Sequence, residues 1–413
     1  MAKSNLIVAL DVGSAKITAV AAAQNMETNM LEILAGKSIP CTGVRGGIVS
    51  DITEMSASVH ALMMSLEREC DRSIDQLFVA IRGSHLESFS NKGSYNISRT
   101  DKEITQNDMN LAVENAKAVP IKSNCDIVNV IEQEYAINSQ LGFHNPEGME
   151  ASLLEVYVLI VIGASAHLKN LTKAIQRPGY HIEGNVYGLI ALGDAVLSAD
   201  EKENGAVLID FGGETISVGI YIGGVLKFSC DIPGGCDFIT SDLSRVLRTP
   251  RRAAKELKER YGVAHPSLLK KEDVDVTLMD GDKTRKVSTM EILDCVQPRV
   301  EELLEQVEQV TLRAGYDLKE LPLVGVITGG GSLMPGMDLQ CMNILGLKEV
   351  RRGRVARDLL QTPEEFLDPQ YSTAVALALY VAKTSNYENY FNTKTEVSGF
   401  GKLGKLIKSI LGY

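Results

Sequence analysis

Residues 7–20 read IVALDVGSAKITAV, and residues 206–219 read AVLIDFGGETISVG. Aligned, Asp11 falls on Asp210, Gly13 on Gly212, Ser14 on Gly213, Ile17 on Ile216 and Thr18 on Ser217. Each copy is an apolar strand, a glycine-bearing tight turn, and a second strand rich in Ile, Val, Thr and Ser, the composition of a β-hairpin. The second copy starts close to the middle of the 413-residue chain. A repeat at that spacing describes one fold duplicated within the chain.

Between and after the hairpins, strand and helix signals alternate. Leu77–Ile81 is an apolar strand ending at Gly83. Thr105 followed by Asp108 has the form of a capping box, and Met109, Ala112, Val113 and Ala116 then share one helical face. Ile127–Ile131 and Val156–Ile162 read as strands, and Leu168–Ile175 as a helix stopped by Pro178-Gly179. Residues 84–178 therefore form a compact β-α-β-β-α insert. Further on come a charged helix at 249–261, a hairpin around Asp280-Gly281, and a long helix over 292–314, starting or kinking at Pro298. A buried strand at 323–327 runs into Thr328-Gly329-Gly330-Gly331-Ser332, and an Ala-rich apolar helix covers 371–382.

Composition narrows the function. Hydrophobic residues make up 45% and charged residues 23%, as in ordinary globular proteins. The formal net charge is −11, so the bulk surface repels nucleic acid and any anion site must be local. The seven cysteines contain no CxxC pair and the six histidines do not cluster, which argues against structural zinc and for reduced thiols in a cytosolic compartment. No apolar run approaches the ~20 residues of a membrane span, and the N-terminal stretch lacks a signal-peptide apolar region.

Three glycine turns following strands suggest one chemistry. Without a Cβ, backbone N–H groups can approach phosphate oxygens. Two facing hairpins can clamp a polyphosphate, with Asp11 and Asp210 holding Mg²⁺ through water and Lys16 adding positive charge. The triple glycine at 329–331 lets a nucleoside approach a strand end. One such turn alone is an ordinary hairpin; the spaced trio is what points to a nucleotide.

The trio resembles the phosphate-1, phosphate-2 and adenosine motifs of the actin–hexokinase–Hsp70 superfamily. More narrowly, ALDVGSAKI, GGIVSDI (46–52), LIDFGGETISVGIY, ITGGGSLMPG and KLIKSIL resemble the FtsA family of bacterial cell division proteins along nearly the whole chain. The resemblance implies an α/β, duplicated actin-like (ribonuclease H-like) fold, with ATP and Mg in the cleft between two halves. The 84–178 insert resembles subdomain 1C, which takes the place of actin subdomain 1B. Expected boundaries are 1–83 plus 179–203 for subdomain 1A, 204–230 plus 303–383 for 2A, and 231–302 for 2B. In this family's pattern Gly13, Ser14 and Lys16 belong to phosphate-1, and Asp210, Gly212, Gly213 and Thr215 to phosphate-2. Gly329, Gly330, Gly331 and Ser332 would contact the adenosine, and Glu256 and Lys258 would flank the adenine and ribose. The place of Lys255 usually carries an acid in related sequences. Asp194 is a candidate by position alone for handling the attacking water, and ATP turnover is expected to be slow at most.

The resemblance further implies end-to-end filaments and binding of the FtsZ C-terminal peptide through subdomain 2B. Arg299, in CVQPRVEELL, matches an arginine near that groove, where it can pair an acidic peptide. Residues 384–398 are polar and aperiodic, the mark of a linker able to stretch about 50 Å. In 399–413, Phe400, Leu403, Leu406, Ile407, Ile410 and Leu411 share one side, with Lys402, Lys405 and Lys408 toward the other. That is the pattern of an interfacial amphipathic helix. Each lysine supplies about 1 kcal/mol near anionic lipid, while Gly404 weakens the helix by roughly 1 kcal/mol. A single tail binds marginally, and a filament of many tails binds tightly.

The function expected is an ATP-binding division protein, peripheral on the cytoplasmic face of the membrane at the division site. It would polymerise, anchor FtsZ filaments and meet other division proteins. A PilM-like pilus assembly adaptor, which shares the 1C subdomain but lacks the tail, and a small-molecule kinase of the same superfamily are the alternatives.

Overall fold

The computed structural model describes residues 6–25, 30–279, 283–357 and 360–395. The first half opens with β1 (Leu6–Val12), β2 (Lys16–Gln24) and β3 (Leu31–Pro40). A short pair follows, β4 (Val44–Arg45) and β5 (Ile48–Val49), then α1 (Ile52–Cys70) and β6 (Gln76–Ile81). The insert holds β7 (Leu86–Asn96), α2 (Gln106–Lys117), β8 (Cys125–Ile137), β9 (Gln140–Phe143), β10 (Leu153–Ala164) and α3 (Ser165–Gln176). The chain returns through β11 (His181–Tyr187), α4 (Gly188–Val196) and α5 (Ala199–Asn204). The second half contains β12 (Ala206–Phe211), β13 (Thr215–Ile222), β14 (Val225–Pro233), α6 (Cys236–Val246) and α7 (Arg251–Tyr261). It continues with β15 (Asp273–Thr277), β16 (Thr284–Ser288), α8 (Thr289–Arg313), β17 (Val324–Thr328), α9 (Met337–Leu345) and β18 (Val350–Arg352). Last come β19 (Leu360–Gln361) and α10 (Ser372–Thr395).

The duplication shows in the sheet topology. One sheet runs β11-β6-β1-β2-β3-β19 and the other β14-β13-β12-β17-β18. In each, three antiparallel strands in sequence lie beside two that run parallel to the first: β6 pairs parallel with β1 and β11 with β6, while β17 pairs parallel with β12 and β18 with β17. Parallel strands need crossover helices, which cover the faces and bury the sheets. The capping box expected at Thr105 and Asp108 is present at the start of α2. The 292–314 helix instead begins at Thr289, capped by Ser288 and Glu291, so Pro298 lies inside it rather than at its start.

Alternation along β12 aims the chemistry. Val207, Ile209 and Phe211 join the second half's core, whereas Ala206 and Leu208 pack with the first half's core. Asp210 shares the parity of Ala206 and Leu208, so it faces the first half.

Two expectations about the end of the chain are corrected. Residues expected within 2A up to 383 include Leu360, Phe366 and Ala374–Ala382, which are buried in the first half's core. Strand β19 pairs with β3 there. An Ala-rich helix apolar all round can cover either sheet, and sequence does not say which. The segment from 384, expected as an irregular linker, is helical as far as Thr395. No Gly or Pro stands between Ser372 and Thr395 to stop a helix already nucleated upstream. The tail at 399–413 lies outside the described residues.

The insert is a four-stranded sheet, β7-β10-β8-β9, with α2 packed on it. It touches both halves. Ser88 Oγ donates to Ser229 O at 2.6 Å and Gln133 Nε2 to Leu226 O at 2.7 Å, both on β14, while Asn129 Oδ1 accepts from the Tyr187 N–H at 2.6 Å. The exposed edge of β14 is thereby covered.

Candidate nucleotide cleft

The two hairpin turns have the same build. The Gly13 N–H donates to Lys16 O at 3.1 Å, and the Gly212 N–H to Thr215 O at 3.0 Å. A Cβ at Gly13 would stand 2.8 Å from Lys16 O, and one at Gly212 2.7 Å from Thr215 O, so neither turn admits a side chain. The turns meet: a Cβ on Gly213 would lie 3.0 Å from the Ala15 Cβ. The β4–β5 turn bridges them, with the Gly47 N–H donating to Ser14 Oγ at 3.1 Å and the Gly46 N–H to Glu214 Oε2 at 2.8 Å.

The third turn abuts the second hairpin. Gly329 takes φ +78°, and a Cβ there would sit 2.3 Å from Asp210 Oδ1. Gly331 is packed against Cys236 and Phe211, while a Cβ on Gly330 meets nothing within 4 Å. Ser332 is buried and donates its hydroxyl to Gly329 O at 2.7 Å. Of the four residues expected at the adenosine, only Gly330 opens on free space; Ser332 staples its own turn.

A polar ladder underlies each hairpin. Asp11 is opposite Thr18, and Thr18 is opposite Ser38, with the two hydroxyls 2.9 Å apart. In the second half Asp210 is opposite Ser217, which is opposite and hydrogen-bonded to Asp231. Burial raises the Asp231 carboxyl to about 6, with Ser217, Arg82 and Tyr187 opposing and Asp210 adding. Burial also raises Asp11, against the pull of Arg82, and lowers Lys16.

The side chain that joins the halves is one that sequence reading missed. Arg82, just after β6, reaches Asp210 Oδ2 at 2.7 Å and Asp11 Oδ1 at 3.4 Å, and its Nη2 donates to Thr373 Oγ1 at 2.7 Å. It is 11% exposed. Burial works against its charge, and Asp11, Asp210 and Asp231 outweigh that, so its pKa lies above the ordinary range. The two carboxylates expected to hold Mg²⁺ through water thus hold a guanidinium between them. Among the described residues no three acidic, His or Cys side chains gather as metal ligands. In this arrangement the pair does not fit a divalent ion.

Helix α7 divides the remaining expectations. Lys258 turns inward, 10% exposed, donating to Cys236 O at 3.0 Å with Asp237 Oδ1 at 3.8 Å. Glu256 points away and pairs with Arg252 at 3.5 Å on the exposed face, so it is not brought to the cleft. Its neighbour Glu259, with Lys255, is felt electrostatically by Lys16. The four-residue spacing from Lys255 to Glu259 was the available signal. Asp194 is also misplaced by position alone. It pairs with Lys202 and lies near Tyr221, which is opposite Ala206 at the far end of the hairpin from its turn. Four residues of strand separate Ala206 from Asp210, about 13 Å.

Arg299 lies outside the cleft, in a groove of about 590 Å³ beside α8. Its Nε meets Asp242 Oδ2 at 2.6 Å and its Nη1 meets Glu302 Oε2 at 2.5 Å, with the Phe238 ring 5.8 Å away. Asp294, Cys295, Pro298 and the exposed Val246 line the groove. Pro298 has no N–H, so the Asp294 carbonyl lacks its usual helical donor.

Comparison with known proteins bears on the family and the fold. A family model described as cell division protein FtsA matches residues 207–376, and one described as an SHS2 domain inserted in FTSA matches residues 83–162. The FtsA of Neisseria meningitidis is 32% identical over 89% of this chain and 88% of its own length. The chain belongs to the FtsA family of cell division proteins. The Borreliella burgdorferi member is 29% identical over 98% of this chain and 97% of its own, and the Escherichia coli K12 member 29% over 95% and 93%. Among solved structures, a PilM–PilN type IV pilus biogenesis complex aligns at a TM-score of 0.64 with 16% identity, covering 91% of this chain and 98% of that one. ADP-bound MreB5 of Spiroplasma citri aligns at 0.55 with 11% identity, covering 94% and 98%. At those identities the likeness is of fold: actin-like, duplicated, with an SHS2 insert in place of an actin-type subdomain. No helix among the described residues is long and apolar enough to cross a membrane.

Proposed function

We propose that this FtsA-family chain is an ATP-gated actin-like adaptor that forms filaments and ties FtsZ filaments to the cytoplasmic face of the membrane at the division septum. The observation that carries the reading is the convergence of three glycine turns, from both halves, on one cleft. A polyphosphate gripped by N–H groups of both hairpins stabilises the closed arrangement of the halves by its differential contacts. Gly330 leaves room for the nucleoside, and Lys16 and Lys258 supply positive charge beside the turns.

The groove beside α8 suits the FtsZ C-terminal peptide. Exposed Val246 offers apolar anchoring, with the exposed Phe238 ring beside Arg299, and the Asp294 carbonyl, to which Pro298 cannot donate, offers an acceptor to an extended backbone. Arg299 is already paired with two acids, and Glu291 and Asp294 add to the rim. The groove therefore favours a peptide with an apolar side chain and a basic one over a purely acidic peptide. Phe400, Leu403, Leu406, Ile407, Ile410 and Leu411, with Lys402, Lys405 and Lys408, form the lipid-binding face. Filament formation multiplies these weak tails into firm attachment. The pilus-adaptor and small-molecule-kinase alternatives are disfavoured by family membership over nearly the whole chain.

The test is co-sedimentation of a purified FtsZ C-terminal peptide with anionic liposomes. Peptide should pellet only when this protein and ATP are both present, and should stay in solution when residues 400–413 are deleted. Peptide left in the supernatant with the full chain and ATP would overturn the reading.

A further inference from the structure

We propose that Arg82 is the resident cation of the cleft, standing where a divalent ion would neutralise Asp11 and Asp210, so that this chain binds a nucleoside triphosphate without needing a divalent cation. The inference rests on the cleft being the nucleotide site.

The geometry supports it at three points. Asp11 and Asp210 come from equivalent positions of the two hairpins, both meet Arg82, and Asp11 feels the charge of Asp210 across the halves. Two buried carboxylates facing one another need a cation or a shared proton between them, because their repulsion is weakly screened in a dry site. Among the described residues, the one charge in direct contact with both is the Arg82 guanidinium, at 3.4 Å and 2.7 Å. It is anchored as well as attracted. Thr373, from a helix that belongs to the first half's core, accepts a hydrogen bond from Nη2. A guanidinium is planar, permanently charged and less strongly hydrated than an ammonium, so it suits a buried site of this kind.

Some of its hydrogen-bonding capacity is left over. Arg82 Nε, Asp11 Oδ1 and Asp210 Oδ2 are buried without an aligned hydrogen-bond partner, although Arg82 touches both acids. The Arg82 Nε–Asp11 contact is thus one of charge rather than a directed bond, and Nε keeps an N–H for an arriving phosphate while the guanidinium stays between the acids. The same residue links the halves directly: it follows β6 of the first half and pairs with Asp210 of the second.

The test compares full-length wild type with Arg82→Ser and Arg82→Lys. ATP affinity is measured by calorimetry in magnesium and in EDTA, and melting temperature is measured with and without magnesium in the absence of nucleotide. For wild type the affinity should change less than about threefold on chelation, and magnesium should leave the melting temperature unchanged. For Arg82→Ser, chelation should cost about tenfold or more in affinity, and magnesium alone should raise the melting temperature by filling the vacated place between the acids. Arg82→Lys should behave more like wild type. Should Arg82→Ser fail to fold, the wild-type comparison decides alone. Wild-type ATP binding that collapses in EDTA would overturn the proposal while leaving the cleft assignment intact. No ATP binding by wild type in either buffer would overturn the cleft assignment itself.

Discussion

Gly330 and Gly331 are neighbours in sequence with opposite surroundings, and substituting them separates folding from binding. A Cβ at residue 331 would stand 2.3 Å from Cys236 Sγ and 2.7 Å from Phe211 Cβ. Both neighbours are buried, at 5% and 0% exposure, and belong to the second half's core. Gly331→Ala therefore overpacks that core, at a cost of about 1–3 kcal/mol. A Cβ at residue 330 meets no atom within 4 Å. Gly330→Val should cost the fold no more than about 0.5 kcal/mol, while its side chain fills the space left for a nucleoside. Losing that contact should weaken ATP by about ten- to a hundredfold, equivalent to about 1.4–2.8 kcal/mol. Thermal melting and ATP calorimetry on both variants make the comparison. Gly331→Ala should melt lower, and Gly330→Val should melt near wild type but bind poorly. Wild-type ATP affinity in Gly330→Val would refute the placement of the nucleoside against this turn.

Other consequences follow from the same geometry. Lys258→Ala should weaken ATP binding severalfold while Glu256→Ala leaves it unchanged, because only Lys258 turns into the cleft; equal losses in titration would contradict the helix orientation. Asp231 is raised to about 6 from an ordinary 3.8, so the stability it contributes is fully present below about pH 4 and is lost as pH rises through about 6. The melting temperature of wild type relative to Asp231→Asn should accordingly climb as pH is lowered from neutral, and a difference independent of pH would argue against a buried, proton-holding carboxyl. Asp194→Ala should leave any ATP hydrolysis unchanged, since its partner is Lys202 and not the turns; a large drop in phosphate release would restore it as a catalytic residue. Val246→Asp should weaken the FtsZ tail peptide about tenfold by fluorescence anisotropy, because it puts a charge where the groove offers an apolar anchor, and undiminished binding would move the peptide elsewhere.

The duplicated hairpins, the capping box of α2 and the insert apart from its short strand β9 were readable because each is a local pattern. Strand alternation, a glycine turn and a helix cap are set by residues a few positions apart, and their physics is the same wherever the segment ends up. Glu256 and Glu259 show where that reading weakens. Both are acids on the same charged helix, and only the direction of α7 decides which one Lys16 senses.

What the chain alone determined was the repeat, the glycine turns that exclude side chains, and the polar and apolar periodicities. The tertiary structure decided which halves claim which elements and which charges meet. Residues 360–382 join the first half's core, a choice no local pattern names, because a helix apolar on every side can cover either sheet. Arg82 looked like an ordinary strand-end residue until folding brought Asp11 and Asp210 together from distant parts of the chain. Its role arises from the desolvation of three charges at one point, and desolvation is a property of the packed molecule rather than of any segment.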